Sequence, residues 1–267
     1  MIMNKNFTII YGKNACFGSF DGFKNKINTR KIFEIFILQN KFDEYYKKVP
    51  NDLKQFVKKV NNHDLFVLTH EQDKHQGIAL KVSNFHFLSL EEMLEKIENK
   101  TKQQRSNHNN NHNISSIFLL DRIQDPHNVG NIIRSAFCFD VDAIILTERE
   151  SCQITPAVVR TSAGYSENSL ICQIGNTSQA LEQLKKNGYW VIGFDVNTTT
   201  NYNLSQIVEK YDKCVFVFGS EGEGMKELTK KKCDLIIKLP MRAEAESLNV
   251  ANTTAIVGWE IIKKKMQ

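Results

Sequence analysis

Short apolar runs alternate with helix-like segments along the second half of the chain, and this alternation limits the possible folds more than any other feature. The runs include IFLLD (117–121), CVFVFG (214–219) and LIIKLP (235–240). Because they are apolar at almost every position, they predict strands buried on both faces of a parallel sheet that helices cover. We therefore expect residues 117–267 to form an α/β domain with a mainly parallel sheet.

Residues 1–95 predict a second, smaller α/β domain. Apolar runs indicate strands at 31–38, 64–69 and 77–83, with helical spacing between the first two. Residues 96–116 contain almost no large apolar side chains, so they cannot bury enough surface to offset the loss of chain entropy. We expect them to form a flexible Asn/His-rich linker between the two domains.

The composition argues against several classes of protein. With 41% hydrophobic and 24% charged residues, the chain has the composition of a globular domain. No stretch approaches the roughly 18 apolar residues of a membrane span, and residues 1–10 lack the pattern of a signal peptide. The six cysteines form no C-x-x-C pair, and His108 and His112 are too few for a metal site in the linker. We expect a cytoplasmic protein without a metal site, a disulfide framework or a membrane span.

The excess of positive charge lies in the first 116 residues. They carry 18 Lys and Arg against 12 Asp and Glu, whereas residues 117–267 carry 17 against 18. Since phosphate contacts supply most of the non-specific affinity for nucleic acids, a polyanionic partner is expected to bind this part of the chain. A lysine-rich solvated surface is the alternative.

Three loops that follow predicted strands have unusual sequences. The first, DPHNVGNIIRSAF (125–137), opens a helix that contains Asn128 and Arg134. One interpretation is a helix capped by Asn128, with Arg134 on a solvated face. However, Arg134 follows Ile132 and Ile133 directly, and an arginine in apolar surroundings usually has an anionic partner.

The second loop, GSEGEGM (219–225), follows the run CVFVF. Its glycine spacing, G-x-x-G-x-G, matches neither the P-loop nor the dinucleotide-binding fingerprint, and its two glutamates would repel a phosphate. The glycines instead favour close approach of the backbone to a neutral or cationic ligand, with Glu221 beside it. An ordinary turn between a strand and a helix is the alternative.

The third stretch, LPMRAEAESLNVANTTAIVGWEI (239–261), leads into the last helix. Glu246, Ser247 and Asn249 lie near the start of that helix, where they act either as caps or as part of a site. In open α/β sheets, ligands bind where loops leave the carboxyl ends of the strands. The three loops are therefore expected to contribute to one site.

In this order the loops resemble the three motifs of the SpoU (TrmH-like) class of SPOUT RNA 2′-O-ribose methyltransferases. The matching stretches are HNVGNIIR, FVFGSEGEGM and LPMRAEAESLNVANTTAIVGWE. Three stretches before the linker resemble the family's substrate-binding domain: IIYGKNACFGSF, RKIFEIFIL and HQGIALKV. The resemblance implies a trefoil-knotted α/β fold, in which the segment from about Leu239 passes under the loop after FVFG.

The resemblance also implies an activity, the S-adenosylmethionine-dependent methylation of a ribose 2′-hydroxyl in RNA. The resemblance extends to bacterial members that methylate a guanosine in the peptidyl-transferase region of 23S rRNA, so such a guanosine is the expected substrate. The resemblance further implies a homodimer that forms through the C-terminal domain. Trp259 is then an interface residue, and the alternative is an ordinary core residue. No metal, DNA or membrane is expected to take part. The alternatives are a tRNA or other rRNA ribose methylase, and a non-catalytic RNA-binding protein on a methylase scaffold.

The family's functional residues map onto the three loops. The implied cofactor-binding residues are Gly219, Ser220, Glu221, Gly222, Leu239, Met241 and Leu248. The implied catalytic residues are Arg134, Asn128, Glu221, Ser247 and Asn249. Because arginine is a poor base in water, we expect Arg134 to hold the target phosphate and polarise the hydroxyl. Arg242 and Ala245 depart from the family pattern near the pocket entrance, and the Asn/His tract is longer than the usual connection.

Overall fold

The computed structural model describes residues 7–27, 30–107, 114–198, 203–220, 222–242 and 244–267. They form two compact units. The N-terminal unit comprises Met1–His86 and Gln153–Ser169, and the C-terminal unit comprises Phe87–Cys152 and Leu170–Gln267. Within the described ranges, no helix has the length and apolar character needed to cross a membrane.

The described residues contain strands and helices that we number in chain order. The strands are β1 (Thr8–Tyr11), β2 (Ile32–Leu38), β3 (Val57–Val60), β4 (Ile78–Val82), β5 (Ser115–Asp121), β6 (Ala143–Thr147), β7 (Leu170–Ile174), β8 (Trp190–Phe194), β9 (Lys213–Gly219) and β10 (Leu235–Ile237). The helices are α1 (Lys13–Asn25), α2 (Phe42–Tyr46), α3 (Asn62–Thr69), α4 (Leu90–Asn107), α5 (Pro126–Cys138), α6 (Pro156–Thr161), α7 (Thr177–Lys186), α8 (Leu204–Lys210), α9 (Glu227–Lys232) and α10 (Val250–Lys265).

The sheet of the C-terminal unit confirms the predicted fold class. Its strands lie in the order β10-β8-β9-β5-β6-β7, and all neighbouring pairs are parallel. The central strands β5 and β9 are almost entirely buried, as their continuous apolar sequences predict. In this sheet β8, β9 and β10 are neighbours, so the loops at their carboxyl ends lie at the same edge.

The N-terminal unit contains a four-stranded mixed sheet in the order β1-β4-β2-β3. Strand β4 is antiparallel to both β1 and β2, whereas β2 and β3 are parallel. The prediction of a small α/β domain is confirmed, and the strands expected at 31–38 and 77–83 are β2 and β4.

Two local predictions in this unit are wrong. The stretch 64–69 belongs to helix α3, because the Asn61 side chain accepts a hydrogen bond from the Asp64 N–H and the Asp64 carboxylate accepts one from the Asn61 N–H. This capping box outweighs the apolar run. The helical spacing after β2 gives only the short α2 and two 3₁₀ turns before β3, Gln39–Lys41 and Asn51–Phe56, because Pro50 interrupts the helix between α2 and the second turn.

The predicted linker is also corrected. Helix α4 covers its first half, starting from a capping pair in which the Glu92 N–H donates to Ser89 Oγ and the Ser89 N–H donates to the Glu92 carboxylate. Met93 and Ile97 anchor the helix in the core of the C-terminal unit. His108 and His112 lie outside the described residues.

The compact units do not follow the predicted boundaries, because the segment Gln153–Ser169 belongs to the N-terminal unit. Its Glu167 accepts a hydrogen bond of 2.6 Å from Arg30, and both side chains are buried. The backbones of Gly18 and Gly164 touch so closely that a Cβ on Gly18 would lie 2.7 Å from the Gly164 Cα. A fragment of residues 117–267 would therefore lack the residues that pack around this segment.

Candidate functional site

A cavity of about 630 Å³ lies at the carboxyl ends of β8, β9 and β10. It has three walls, formed by the loop after β8, the turn after β9 and the segment between β10 and α10. The residues lining it are Phe194, Asp195, Val196, Asn197, Phe218, Gly219, Ser220, Gly222, Glu223, Gly224, Lys230, Lys238, Leu239, Met241, Glu246, Ser247, Leu248, Asn249, Val250 and Thr253. The structure thus brings the second and third motifs together, as the sequence predicts.

The turn after β9 is shaped by its glycines. The Ser220 N–H donates to the Gly224 carbonyl at 3.2 Å, and the Gly224 N–H donates to the Ser220 carbonyl at 2.9 Å. Gly222 and Gly224 have positive φ angles of 85° and 67°, which glycine adopts without strain. A Cβ on Gly219 would lie 2.1 Å from the Gly224 carbonyl carbon. Gly219 is therefore required by the close approach of its own chain, in addition to any approach of a ligand.

Arg122, which the sequence analysis missed, fastens this turn to the end of β5. Its Nη1 donates to the Glu223 carboxylate at 2.6 Å, and its Nη2 donates to the Gly224 carbonyl at 3.2 Å. Asp121 pairs with Gly219 across the sheet, and its carboxylate accepts a hydrogen bond from the Lys226 N–H. The φ of Arg122 is 62°, a left-handed conformation that is uncommon outside glycine.

We expect Arg122→Ala to increase opening of this turn about tenfold. The ion pair itself contributes little because the Glu223 side chain is 76% exposed, so the bond to the carbonyl supplies most of an effect of about 1–2 kcal/mol. Amide hydrogen exchange of residues 219–225 measures the opening. Glu223→Gln, which retains the carbonyl bond, is the matched control and should change exchange less. Equal exchange in Arg122→Ala and the unaltered protein would contradict this role.

The first and third motifs meet through two asparagines. Asn249 caps α10, accepting from the Ala251 N–H at 2.8 Å, and its Nδ2 donates to Asn128 Oδ1 at 3.1 Å. Asn128 does not cap α5, because Asp125 does so by accepting from the His127 N–H. Asn128 is instead buried within the first turns of α5, where it contacts the start of the last helix.

Arg134 lies on α5 with an exposed side chain and does not line the cavity. Ile132, Ile133 and Ala136 form the buried face of α5, which leaves Arg134 on the other face. Among the described residues no carboxylate lies within ion-pair distance of Arg134, so they do not supply the anionic partner expected from its sequence context. Glu221, predicted both as a catalytic and as a cofactor-binding residue, lies outside the described residues.

The other predicted residues lie at the cavity. Of the predicted cofactor-binding set, the lining includes Gly219, Ser220, Gly222, Leu239, Met241 and Leu248. Of the predicted catalytic set, Ser247 and Asn249 line it, and Asn128 contacts Asn249. The described residues between β10 and α10 are irregular and largely exposed, and among them Met241 and Leu248 line the cavity with exposed apolar side chains.

An ion pair that the sequence analysis missed sets the charge on one wall. Lys230 Nζ lies 2.7 Å from an Asp195 carboxylate oxygen. Burial raises the pKa of Asp195, but hydrogen bonds from Lys230 and from the Asn197 N–H outweigh it, so the pKa is lowered. Hydrogen bonds to Asp195 and Glu227 raise the pKa of Lys230. Both groups therefore stay ionised near neutral pH. In the part of the chain that the structure describes, no cluster of three or more His, Cys, Asp or Glu is arranged to hold a metal ion.

Comparison with known proteins agrees with this geometry. Residues 115–259 match the SpoU rRNA Methylase family, and residues 9–88 match the RNA 2′-O ribose methyltransferase substrate binding family. A Staphylococcus epidermidis protein named as a TrmH family tRNA/rRNA methyltransferase is 33% identical over 193 residues, covering 72% of each chain. An uncharacterized tRNA/rRNA methyltransferase of Synechocystis is 30% identical over 261 residues, covering 96% of this chain and 62% of the relative.

Solved structures show the same fold. The SpoU methyltransferase AviRb of Streptomyces viridochromogenes, in complex with AdoMet, has a TM-score of 0.73 at 14% identity, covering 98% of this chain and 91% of that one. An AdoMet-bound rRNA methyltransferase of Sinorhizobium meliloti has a TM-score of 0.73 at 19% identity, covering 97% and 87%. With the parallel sheet, the cavity at its carboxyl edge and the matches over both parts of the sequence, the chain belongs to the SpoU family of RNA ribose methyltransferases.

Proposed function

We propose that this protein transfers the methyl group of S-adenosylmethionine to the 2′-hydroxyl of a guanosine in 23S rRNA, in the cytoplasm. The observation that carries the reaction type is the convergence of all three motifs in the C-terminal unit. Described residues of the turn after β9 and of the segment between β10 and α10 line one cavity, and the Asn128–Asn249 hydrogen bond attaches the first motif to it. The choice of guanosine and of 23S rRNA rests on the resemblance of the motifs to those of bacterial family members that methylate such a guanosine.

The cavity fits S-adenosylmethionine in size and character. Its volume of about 630 Å³ lies within the range of small-molecule sites, roughly 300–1,000 Å³. We propose that backbone groups of Gly219, Leu239 and Leu248 bind the cofactor and that Ser220, Gly222 and Met241 line its site; Glu221 is proposed for the same wall. Apolar side chains beside exposed main chain suit an adenine ring with polar edges. We also propose that the chain is knotted here, as the family implies.

Bound S-adenosylmethionine would supply a methyl group that is activated by its carbon–sulfur bond to a sulfonium, and S-adenosylhomocysteine would be the product that leaves. The chain must therefore orient the hydroxyl in line with that bond and polarise it as it loses its proton. Ser247 and Asn249 line the cavity, and the Asn128 amide holds Asn249 in place. We assign Arg134 to the phosphate next to the target ribose and to the polarisation of its hydroxyl.

Arg134 does not line the cavity of its own chain, but in a homodimer it would reach the cavity of the second copy. On α5 and α10, large apolar side chains are exposed: Phe137 at 42%, Ile256 at 42% and Trp259 at 53%. The exposure of Trp259 argues against its being an ordinary core residue. We propose that this face packs against a second copy of the chain, and that Arg134 of each copy completes the site of the other.

This proposal predicts a dimer at micromolar concentration that Trp259→Glu converts to a monomer. A buried charge without a partner is strongly unfavourable at an interface, so the equilibrium should shift by at least about tenfold. Light scattering measures the mass. Leu228→Glu, at a leucine of α9 that is 59% exposed, is the control and should remain dimeric. An unaltered protein that scatters as a monomer would refute the dimer.

Two measurements test the reaction and the substrate. Purified full-length protein should transfer labelled methyl from S-adenosylmethionine to ribosomal RNA but not to DNA. Ribose-methylation mapping of total RNA, with and without the gene, should then show the loss of one 2′-O-methylguanosine in 23S rRNA. Loss of a tRNA methylation or of another rRNA methylation would show that the substrate is that RNA and not a guanosine of 23S rRNA. Absence of any methyl transfer, with RNA binding retained, would support the non-catalytic alternative.

A further inference from the structure

Four side chains of the N-terminal unit form a stack, which we call the Lys–aromatic ladder: Lys59, Phe42, Tyr46 and Lys54. The Phe42 and Tyr46 rings are stacked at 5.1 Å between centroids, with an interplanar angle of 17°. Lys59 Nζ lies 5.0 Å from the Phe42 centroid, and Lys54 Nζ lies 5.3 Å from the Tyr46 centroid. Two short elements, α2 and β3, together with the 3₁₀ turn between them, supply all four residues.

The described part of the chain does not neutralise the positive charge of the ladder. Among the described residues, no carboxylate lies within ion-pair distance of Lys54 or Lys59. Neighbouring cations differ in this respect, since Lys58 Nζ lies 2.9 Å from the Glu34 carboxylate and Glu34 also pairs with Lys81. A cation–π contact holds an ammonium with about 0.5–1 kcal/mol at an exposed site and leaves its charge available to a phosphate.

The surroundings of the ladder are also basic. Residues 41–60 contain six lysines against three Asp and Glu. One of those three, Glu44, already lies 3.7 Å from the ammonium groups of both Lys13 and Lys41. The side chain of Lys59 is exposed, and Phe42, Tyr46 and Lys54 are partly exposed, so a ligand can reach the stack from solvent.

We propose that the Lys–aromatic ladder binds the phosphodiester backbone of the substrate RNA. The two rings hold two separate ammonium groups along one stack, which suits two phosphates of one strand better than a single small anion. RNA is favoured over other polyanions because residues 9–88, which contain the ladder, match a substrate-binding family of RNA ribose methyltransferases. The proposal rests on RNA being the substrate, and it names the surface that holds the strand.

The test compares full-length variants in binding a fluorescein-labelled oligouridylate, which has phosphates but little base structure. Lys54→Ala/Lys59→Ala should weaken binding about tenfold at low salt, and the slope of log affinity against log salt should become shallower by about 1.4, since each single-strand phosphate contact contributes about 0.7. Lys58→Ala/Lys81→Ala is the matched control: it likewise removes two lysines of the N-terminal unit, one from β3 and one from β4, but both are paired with Glu34. Its slope should stay within error of the unaltered protein.

The outcomes separate the ladder from the proposed function. Equal slope changes in the two double variants would mean that only net charge matters and would overturn the ladder. An unchanged RNA affinity in Lys54→Ala/Lys59→Ala, with methyl transfer to ribosomal RNA intact, would overturn the ladder and leave the proposed function standing. If the unaltered protein neither binds RNA nor transfers methyl, both proposals fail. Calorimetric titration with S-adenosylmethionine checks that each variant remains folded in the C-terminal unit.

Discussion

Arg134→Ala is expected to lower the rate of methyl transfer at least about a hundredfold while leaving the affinity for S-adenosylmethionine unchanged. Misplacing the reacting hydroxyl lowers the rate of transfer by a factor of this order. One phosphate contact, in contrast, contributes only a small part of the affinity for RNA. Arg134 is exposed and lies outside the cavity, so its removal should not disturb the fold or the cofactor site. Single-turnover transfer from labelled cofactor to ribosomal RNA gives the rate, and calorimetry gives the cofactor affinity.

Arg149→Ala is the control, because Arg149 is an exposed arginine of the same unit that does not line the cavity. It should retain most of the activity. Near-normal turnover in Arg134→Ala would refute the proposed role of this arginine, although the family membership would stand.

Gly219→Ala is expected to weaken S-adenosylmethionine binding about 30–100-fold. The added Cβ would lie 2.1 Å from the Gly224 carbonyl carbon and 2.2 Å from the Met225 nitrogen. Both are main-chain atoms, so the turn itself must move, at a cost of about 2–3 kcal/mol by analogy with overpacked cores. Calorimetry measures the affinity, and thermal unfolding shows whether the rest of the unit is intact.

Gly188→Ala provides the matched comparison. Gly188 also has a positive φ, 84°, but it follows α7 away from the cavity, and its nearest neighbour would be a flexible lysine carbon at 3.9 Å. Alanine there should cost about 1–2 kcal/mol of folding free energy and leave cofactor affinity unchanged. If Gly219→Ala and Gly188→Ala bind the cofactor equally well, the turn does not form the cofactor site.

Mixing these two impaired variants, at a cofactor concentration that does not saturate Gly219→Ala, tests the dimer and the role of Arg134 together. Refolded from a mixture, Arg134→Ala and Gly219→Ala chains would form hybrids with one intact cavity facing one intact Arg134. Activity should then reappear if Arg134 acts on the partner's cavity. Failure of complementation, with mixed dimers present, would place Arg134 and the cavity in the same chain.

The sequence was sufficient where the deciding interactions are local or periodic. Strands β5 and β9 were predicted because a strand buried on both faces must be apolar at almost every position. The turn after β9 and the segment before α10 were predicted to share a site because parallel strands end at the same edge. The motifs themselves identified the family, which the matches over residues 115–259 and 9–88 confirmed.

Local reasoning failed where capping competed with hydrophobic pattern. The apolar run at 64–69 is a helix because Asn61 and Asp64 cap it, and the polar tract after residue 96 is helical because the Ser89–Glu92 pair starts α4. In each case a few hydrogen bonds at one end, with a partly apolar face, outweighed the average composition of the stretch.

Only the tertiary structure decided which distant residues meet. Arg122 fastens a turn about 100 positions away, Asn128 contacts Asn249, and Arg30 pairs with Glu167 across an even longer separation. Arg134, which the sequence marked for an anionic partner, proved to be exposed. Periodicity reports which face of an element is buried, but not which element covers it, because that choice depends on how the whole chain packs.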